Sequence, residues 1–158
     1  MKSIKTLIIT AIIGASLAGC SKKTDVKPPV ATISTWNTDA NKYSTTNCTV
    51  SVSTNSLIAK DYTTGASITL TFFAIPTAQG DYTVTAPGML AAGKVTVSVT
   101  PTKEISIDNG GTVFVFIKDG KLQVNFTSVQ LGYLSTLNLG GTNTYTTTNH
   151  VSGFLFQN

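Results

Sequence analysis

Residues 112–126, TVFVFIKDGKLQVNF, constrain the fold most strongly, because two alternating runs meet at the dipeptide Asp119-Gly120. Asp and Gly tolerate the positive φ angles that a two-residue type I′ hairpin turn requires. The stretch therefore predicts two antiparallel strands with Lys118 opposite Lys121. In that register one face is apolar and belongs to the core: Val113, Val115, Ile117, Leu122, Val124 and Phe126.

The opposite face of this predicted hairpin pairs Phe114 with Asn125 and Phe116 with Gln123. Two aromatic rings on an otherwise polar face have three possible explanations. A loop from the 140s or the C-terminal phenylalanines covers them, or they lie against a second buried layer of the fold. In the third explanation they stay open as a stacking platform for a sugar or a peptide, which makes Phe114 and Phe116 the predicted ligand face.

The rest of the chain after the N-terminal segment has the composition of further short strands. Threonine, valine and aromatic residues dominate, and glycine or asparagine turns separate the runs. Residues 140–150, GGTNTYTTTNH, predict an edge strand or a mobile loop. We expect an all-β fold, a single antiparallel β-sandwich or barrel-like domain of about nine strands. The predicted strands are residues 31–36, 48–53, 57–62, 67–75, 81–85, 94–100, 112–118, 121–130 and 151–156.

Residues 1–19 have the features of a secretory signal peptide. Lys2 and Lys5 precede an uncharged apolar run at residues 6–18, TLIITAIIGASLA, which ends in small residues. A membrane-spanning helix needs about 20 apolar residues, whereas the apolar region of a signal peptide needs about 7 to 15. The run therefore predicts a processed signal and not a membrane span.

The tetrapeptide Leu17-Ala18-Gly19-Cys20 closes this run, and polar residues follow it. It resembles the lipobox of bacterial lipoproteins, in which the cysteine sulfur receives diacylglycerol and signal peptidase II cuts before the cysteine. The resemblance implies cleavage between Gly19 and Cys20 and lipid attachment at Cys20. An ordinary signal peptide with an incidental cysteine is the alternative. Because two acyl chains already anchor a protein stably, the mature chain is expected to stay on its membrane.

Residues 20–29 form a predicted tether that begins with the lipidated Cys20 and ends in Pro28-Pro29, and residues 30–158 form the predicted domain. In lipoproteins of Gram-negative bacteria, an Asp directly after the cysteine retains the protein in the inner membrane. Ser21 stands at that position, so the resemblance implies the outer membrane. Lipoproteins exported to the cell surface often carry acidic residues there, and the basic SKKTD favours the periplasmic face instead.

The charge pattern of the predicted domain argues against a nucleic-acid partner. The chain has no arginine, and from residue 30 onward six lysines balance six acidic residues. Nucleic-acid recognition relies on clustered positive charge, to which Arg contributes strongly. The expected partners are the membrane, through the lipid anchor, and a glycan, a peptide or an envelope protein.

Few residues of the predicted domain offer catalytic or metal-binding chemistry. Its one cysteine, Cys48, shares a strand face with Val52 and is expected in the core, and its one histidine, His150, is expected at the surface or a strand edge. Glu104 beside Lys103 predicts a solvated ion pair. A lone histidine does not complete a zinc site, and no nucleophile elbow, P-loop or dinucleotide fingerprint occurs. We expect no catalytic residue, no metal and no cofactor.

After the signal, the layout is similar to that of small uncharacterised lipoproteins of Bacteroidota. The features that carry the resemblance are the tether, an early strand with Trp36, the central GDYTV at Gly80–Val84 and the closing VSGFLF at residues 151–156. The resemblance brings no activity with it. The leading hypothesis is a non-enzymatic binding or envelope-interaction domain. The alternatives are a structural subunit of an envelope complex and a hydrolase whose site the sequence does not reveal.

Overall fold

The computed structural model describes residues 33–107, 111–136 and 144–158, all within one compact unit, Ala31–Asn158. The predicted signal peptide, Cys20 and the tether lie outside the described residues. Within the described ranges, no helix has the length and apolar character needed to cross a membrane. The eleven strands are β1 (Ser34–Thr38), β2 (Lys42–Thr45), β3 (Cys48–Ser51), β4 (Ser56–Lys60), β5 (Ser67–Phe72), β6 (Gly80–Val84), β7 (Lys94–Thr100), β8 (Glu104–Ser106), β9 (Thr112–Lys118), β10 (Lys121–Thr136) and β11 (Thr144–Phe156).

Hydrogen-bonded pairing joins the strands into one sheet in the order β2-β1-β11-β10-β9-β6-β7-β5-β4-β3. β8 lies off this path and pairs with both β10 and β7, so β10, β9, β6, β7 and β8 form a closed ring of neighbours. The pairs are antiparallel except for β6 with β7, which run parallel. The fold is a β-sandwich or barrel-like arrangement, and the all-β prediction is confirmed.

Two short strands, β2 and β8, are missing from the sequence prediction, which gives about nine strands where the described residues form eleven. β2 is KYST and contributes mainly Tyr43 to the core. β8 is EIS and is held by Ser106, whose hydroxyl accepts the Val97 N–H at 2.9 Å and donates to the Thr85 carbonyl at 2.7 Å. Neither segment is long enough to show the alternation that predicts a strand.

The β9–β10 hairpin has the predicted register. Lys118 pairs with Lys121, and the pairing continues along both strands as far as Val113 and Phe126. Asp119 has a φ of 52° and Gly120 a φ of 73°, as a type I′ turn requires. The apolar side chains of the predicted core face are buried or packed against the core: Val113, Val115, Ile117, Leu122, Val124 and Phe126.

The core contains alternate side chains from most strands of the sheet. Trp36 on β1 is fully buried and stacks on Tyr43 of β2, with ring centroids 5.2 Å apart. Burying one large apolar side chain stabilises a fold by about 1.5–3 kcal/mol. Other large side chains that are fully buried are Leu57, Ile68, Leu70, Phe72, Phe126, Leu131 and Leu155.

β10 and β11 are the two longest strands and form an extended hairpin arm. Register shifts interrupt their pairing, the first between Phe126 and Val129, where Ser128 has a φ of 53°. Such a bulge bends the strand and increases its twist. In the described part of the chain β1 pairs with β11 only at residues 151–154, so residues 144–150 form a sheet edge. The threonine-rich segment is therefore an edge strand from residue 144 onward, and residues 140–143 lie outside the described part.

Candidate functional site

Phe114 and Phe116 lie on β9 with their rings on the outer side of the sheet. Alternation along the strand sends Val113 and Val115 into the core, so the residues between and after them point outwards. The two phenylalanine side chains are 41% and 45% exposed. Each ring is partly open to solvent, so neither is buried in a second layer of the fold, and residues 137–143 of the predicted covering loop lie outside the described part of the chain.

Polar side chains flank the two rings on both neighbouring strands. On β10, Asn125 pairs with Phe114 and Gln123 pairs with Phe116, as the hairpin register predicts. On β6, Asp81 pairs with Phe114 from the other side. Directly paired residues share one face of a sheet, and adjacent strands lie about 5 Å apart. These five residues, Asp81, Phe114, Phe116, Gln123 and Asn125, are termed the phenylalanine face.

A shallow depression of about 330 Å³ lies beside these rings, between β6 and β9. Its lining residues are Gln79, Gly80, Asp81, Phe114, Val115 and Phe116. Ligand sites typically combine apolar lining with a few polar groups in a volume of about 300 Å³ or more. The depression has that composition and reaches the lower end of that size range.

The cross-strand pairs of the phenylalanine face continue from β10 onto β11. Asn125 pairs with Phe154, and Gln123 pairs with Phe156, so both C-terminal phenylalanines lie on the same side of the sheet as Phe114. Phe154 is partly buried, and Phe156 is 6% exposed. Phe154 continues the apolar row beyond β10, whereas Phe156 is buried and adds no exposed surface.

The side-chain amide of Gln123 lies at the centre of this surface. Leu122 and Val124 are buried on the core side, and this alternation fixes Gln123 on the outer side. Its Nε2 atom is buried and meets no acceptor among the residues that the structure describes. A buried donor without a partner costs about 1–3 kcal/mol. Within the described ranges, an unsatisfied hydrogen-bond donor therefore lies beside Phe114 and Phe116.

Asp81 is the member of the phenylalanine face that sequence reasoning misses. Its strand is predicted, but nothing in the sequence indicates that this strand pairs with β9. Local turn chemistry fixes the β9–β10 hairpin, whereas the β6–β9 pair joins segments separated by β7 and β8. Only the three-dimensional structure places the carboxylate beside Phe114.

Glu104 is buried, so the prediction of a solvated pair with Lys103 is wrong. The residue is 3% exposed on β8. Its carboxylate accepts hydrogen bonds from Thr148 Oγ1 at 2.5 Å and from Asn149 Nδ2 at 3.3 Å. Both donors belong to β11. The carboxylate therefore ties β8 to the hairpin arm, away from the phenylalanine face.

His150 lies at the edge of β11, where it pairs with Asp39. Its Nδ1 is 3.2 Å from Asp39 Oδ2, and its backbone N–H donates to the same oxygen at 3.0 Å. The two side chains are 43% and 60% exposed. An exposed ion pair contributes about 0–1 kcal/mol at most. In the described ranges, no group of three or more His, Cys, Asp or Glu residues is arranged to hold a metal ion.

Cys48 is fully buried at the start of β3. Burial raises the pKa of its thiol from 9.0 to about 11, while hydrogen bonds with the Ser34 side chain and the Phe156 backbone act in the opposite direction. The thiol is therefore protonated and inaccessible at neutral pH and acts as a small core residue. Val52, predicted on the same face, instead follows the end of β3 and is 78% exposed.

Comparisons with known proteins give no match for this chain, whether with family models, with curated proteins or with solved structures. The predicted cleavage position at Gly19 and the lipid attachment at Cys20 lie outside the described residues. Among the described residues, the phenylalanine face is the strongest candidate site.

Proposed function

We propose that this chain is a lipid-anchored, non-enzymatic binding protein of a bacterial outer membrane that holds its ligand on the phenylalanine face. The observation that carries the binding role is the pair of open rings, Phe114 and Phe116, beside a depression with a polar rim. Exposed apolar surface bordered by polar residues marks interaction sites in soluble domains. Phe114 and Phe116, on one face of β9, form such a surface.

The composition of the phenylalanine face favours binding over catalysis. General acid–base catalysis needs positioned titratable groups, often two that act together. The face offers one carboxylate, on Asp81, and its other polar members are the amides of Gln123 and Asn125. Rings and amides suit recognition by stacking and hydrogen bonding.

The proposed anchor and location derive from the N-terminal sequence. The tetrapeptide Leu17-Ala18-Gly19-Cys20 supports lipid attachment, Ser21 supports the outer membrane, and the lysines of the tether support the periplasmic face. A lipid at Cys20 would keep the domain at its membrane.

The binding role is tested with the full chain purified in detergent and two immobilised panels, one of glycans and one of extended peptides. The double substitution Phe114→Ala and Phe116→Ala is expected to weaken specific binding about tenfold or more, because the stacking surface is lost. The melting temperature should fall only modestly, since 41% and 45% of the two side chains are already exposed. Tyr62→Ala removes a ring that is 69% exposed after the end of β4 and is the matched control, expected to leave binding unchanged.

Three results would contradict this proposal. Binding that survives the double substitution would place the ligand elsewhere on the domain. A large fall in melting temperature would show that the rings of Phe114 and Phe116 are structural. No binding to either panel would remove the binding role.

A further inference from the structure

On the phenylalanine face, the two phenylalanine rings form an apolar strip, and polar side chains lie along both of its sides. Phe114 and Phe116 are two residues apart on β9, which separates them by about 7 Å along the strand. Asp81 stands on the β6 side, and Asn125 and Gln123 stand on the β10 side, each strand about 5 Å from β9. A ligand that lies along β9 therefore meets apolar surface beneath it and hydrogen-bonding groups at both of its edges.

The backbone N–H and C=O groups of β9, which carries the two rings, already pair with neighbouring strands. β9 pairs with β6 along one edge and with β10 along the other, and β10 pairs in turn with β11. A peptide that binds by strand addition needs the free N–H and C=O groups of an edge strand. An extended peptide laid over the rings would also leave its own backbone groups short of partners. Both considerations disfavour an extended peptide as the ligand.

A pyranose ring has the complementary chemistry. Its carbon-bound hydrogens form an apolar face that packs on an aromatic ring, and its equatorial hydroxyls point sideways from the rim. Carboxylate and amide side chains accept from such hydroxyls, and amides also donate to them. The side chains that flank the rings are a carboxylate and two amides, while Lys118 and Lys121 pair with each other one row further along, at the hairpin end. This arrangement favours an uncharged sugar.

We propose that the phenylalanine face binds an uncharged glycan with equatorial hydroxyls, which lies along β9 with successive sugar rings over Phe114 and Phe116. This inference rests on the binding role proposed above and specifies its ligand class. Asp81 and Asn125 bind hydroxyls on opposite edges of the glycan. The buried Nε2 of Gln123 has no acceptor among the described residues, and a half-turn of its amide exchanges nitrogen and oxygen so that the nitrogen can donate to the glycan.

Cellohexaose, a linear uncharged glycan with equatorial hydroxyls, is the probe, titrated by calorimetry into the full chain in detergent. The unsubstituted protein is expected to bind it. Asn125→Ala should raise Kd about five- to tenfold, the usual effect of losing one hydrogen bond. Asn37→Ala removes an exposed amide from β1, away from the phenylalanine face, and should leave Kd unchanged.

Gln123→Met provides a readout that separates binding from a structural role. The substitution keeps the length of the side chain but removes the unsatisfied buried donor, so the melting temperature should rise by about 2–4 °C. In the same protein, Kd for cellohexaose should rise about fivefold. If Gln123 only stabilises the fold, the substitution should lower the melting temperature and leave Kd for cellohexaose unchanged.

The remaining outcomes distinguish this inference from the binding role on which it rests. Peptide binding that depends on Phe114 and Phe116, with no heat from cellohexaose, would overturn the glycan assignment and leave the binding role standing. Tighter binding of hexagalacturonic acid than of cellohexaose would overturn the uncharged ligand. Cellohexaose binding that neither Asn125→Ala nor Gln123→Met weakens would overturn the proposed geometry.

Discussion

Ser34, Cys48 and Phe156 meet inside the domain and share a small group of buried polar contacts. The Ser34 hydroxyl accepts the N–H of Phe156 at 2.9 Å and donates to its carbonyl at 3.3 Å. The Cys48 thiol hydrogen-bonds to the Ser34 side chain and the Phe156 backbone, and the Cys48 carbonyl accepts the N–H of Asn158 at 2.9 Å. These contacts join β1, β3 and the end of β11 through uncharged groups, so ionising the thiol would disturb all three.

Stability should fall between about pH 9 and pH 11 in a way that depends on Cys48. The unfolded chain ionises this thiol at its ordinary pKa of 9.0, whereas the folded chain retains the proton up to about 11. The contribution of about 3 kcal/mol is complete below pH 9 and is lost as the pH rises through 11, because the unfolded state then binds fewer protons. Urea unfolding between pH 8 and pH 11 should show a shallower decline for Cys48→Ala. Parallel declines in the two proteins would contradict a buried, protonated thiol.

For single side chains, burial can be predicted from the sequence where strand alternation decides it, but not where partners distant in the chain decide it. Alternation alone places Val115 in the core and Phe114 outside it. Burial of Glu104 depends instead on Thr148 and Asn149, which lie 44 and 45 residues further along the chain. The exposure of the two rings at the candidate site depends on which loops cover them, and a single sequence does not reveal this.

At Gly153, β11 lies close against β1. A Cβ atom at this position would lie 2.7 Å from the carbonyl oxygen of Thr35 and 2.9 Å from the ring of Phe126. The first contact is with backbone, so relieving it requires β1 to shift. The strand pair therefore needs a residue without a side chain at this position.

Gly153→Ala should destabilise the fold by about 1–3 kcal/mol through overpacking. Gly80→Ala, at the start of β6, is the matched control, because nothing lies within 4 Å of the Cβ atom it would add. That control should be neutral or stabilise by about 0.4–1 kcal/mol, since alanine restricts the unfolded chain. Urea unfolding measures both changes. Equal effects of the two substitutions would show that β1 moves freely to accommodate the methyl group.

Element prediction succeeds in the β9–β10 hairpin because a two-residue turn fixes the register from local chemistry alone. The same reasoning supplies two of the three strands of the phenylalanine face. β2 and β8 are too short for alternation to identify, and the parallel pairing of β6 with β7 follows from a crossover that no turn motif specifies. Short stretches of sequence thus indicate which segments form strands, but they do not indicate the order of the strands in the sheet.

In the domain as a whole, β8 closes the ring of paired strands formed with β10, β9, β6 and β7, although it has only three residues. It pairs with β10 through Ile105 and Ser106 and with β7 through Glu104 and Ile105. Alternation shows which face of a strand is buried and does not show which strand lies beside it. The sequence therefore predicts the fold class and leaves the topology open.

The whole protein is expected in the membrane fraction of a cell that produces it, because Leu17-Ala18-Gly19-Cys20 predicts lipidation. Cys20→Ser should abolish acylation, whereas Cys48→Ala, the control at the other cysteine, should leave it intact. Fractionation combined with mass spectrometry of the N-terminal peptide measures both. Unacylated wild-type protein in the soluble fraction would contradict the anchor. Protease treatment of intact cells should spare the domain until lysis if it faces the periplasm.

The first and last strands of the domain are neighbours, since β1 pairs with β11. The hydrogen bonds between Ser34 and Phe156 join residues that are 122 positions apart. Contacts across such a separation carry a large entropy cost of loop closure, which slows folding. Synthesis delivers the chain from its N-terminus, so β1 emerges long before β11. β1 therefore meets β2 early, while its other edge stays unpaired until almost the whole domain has been made.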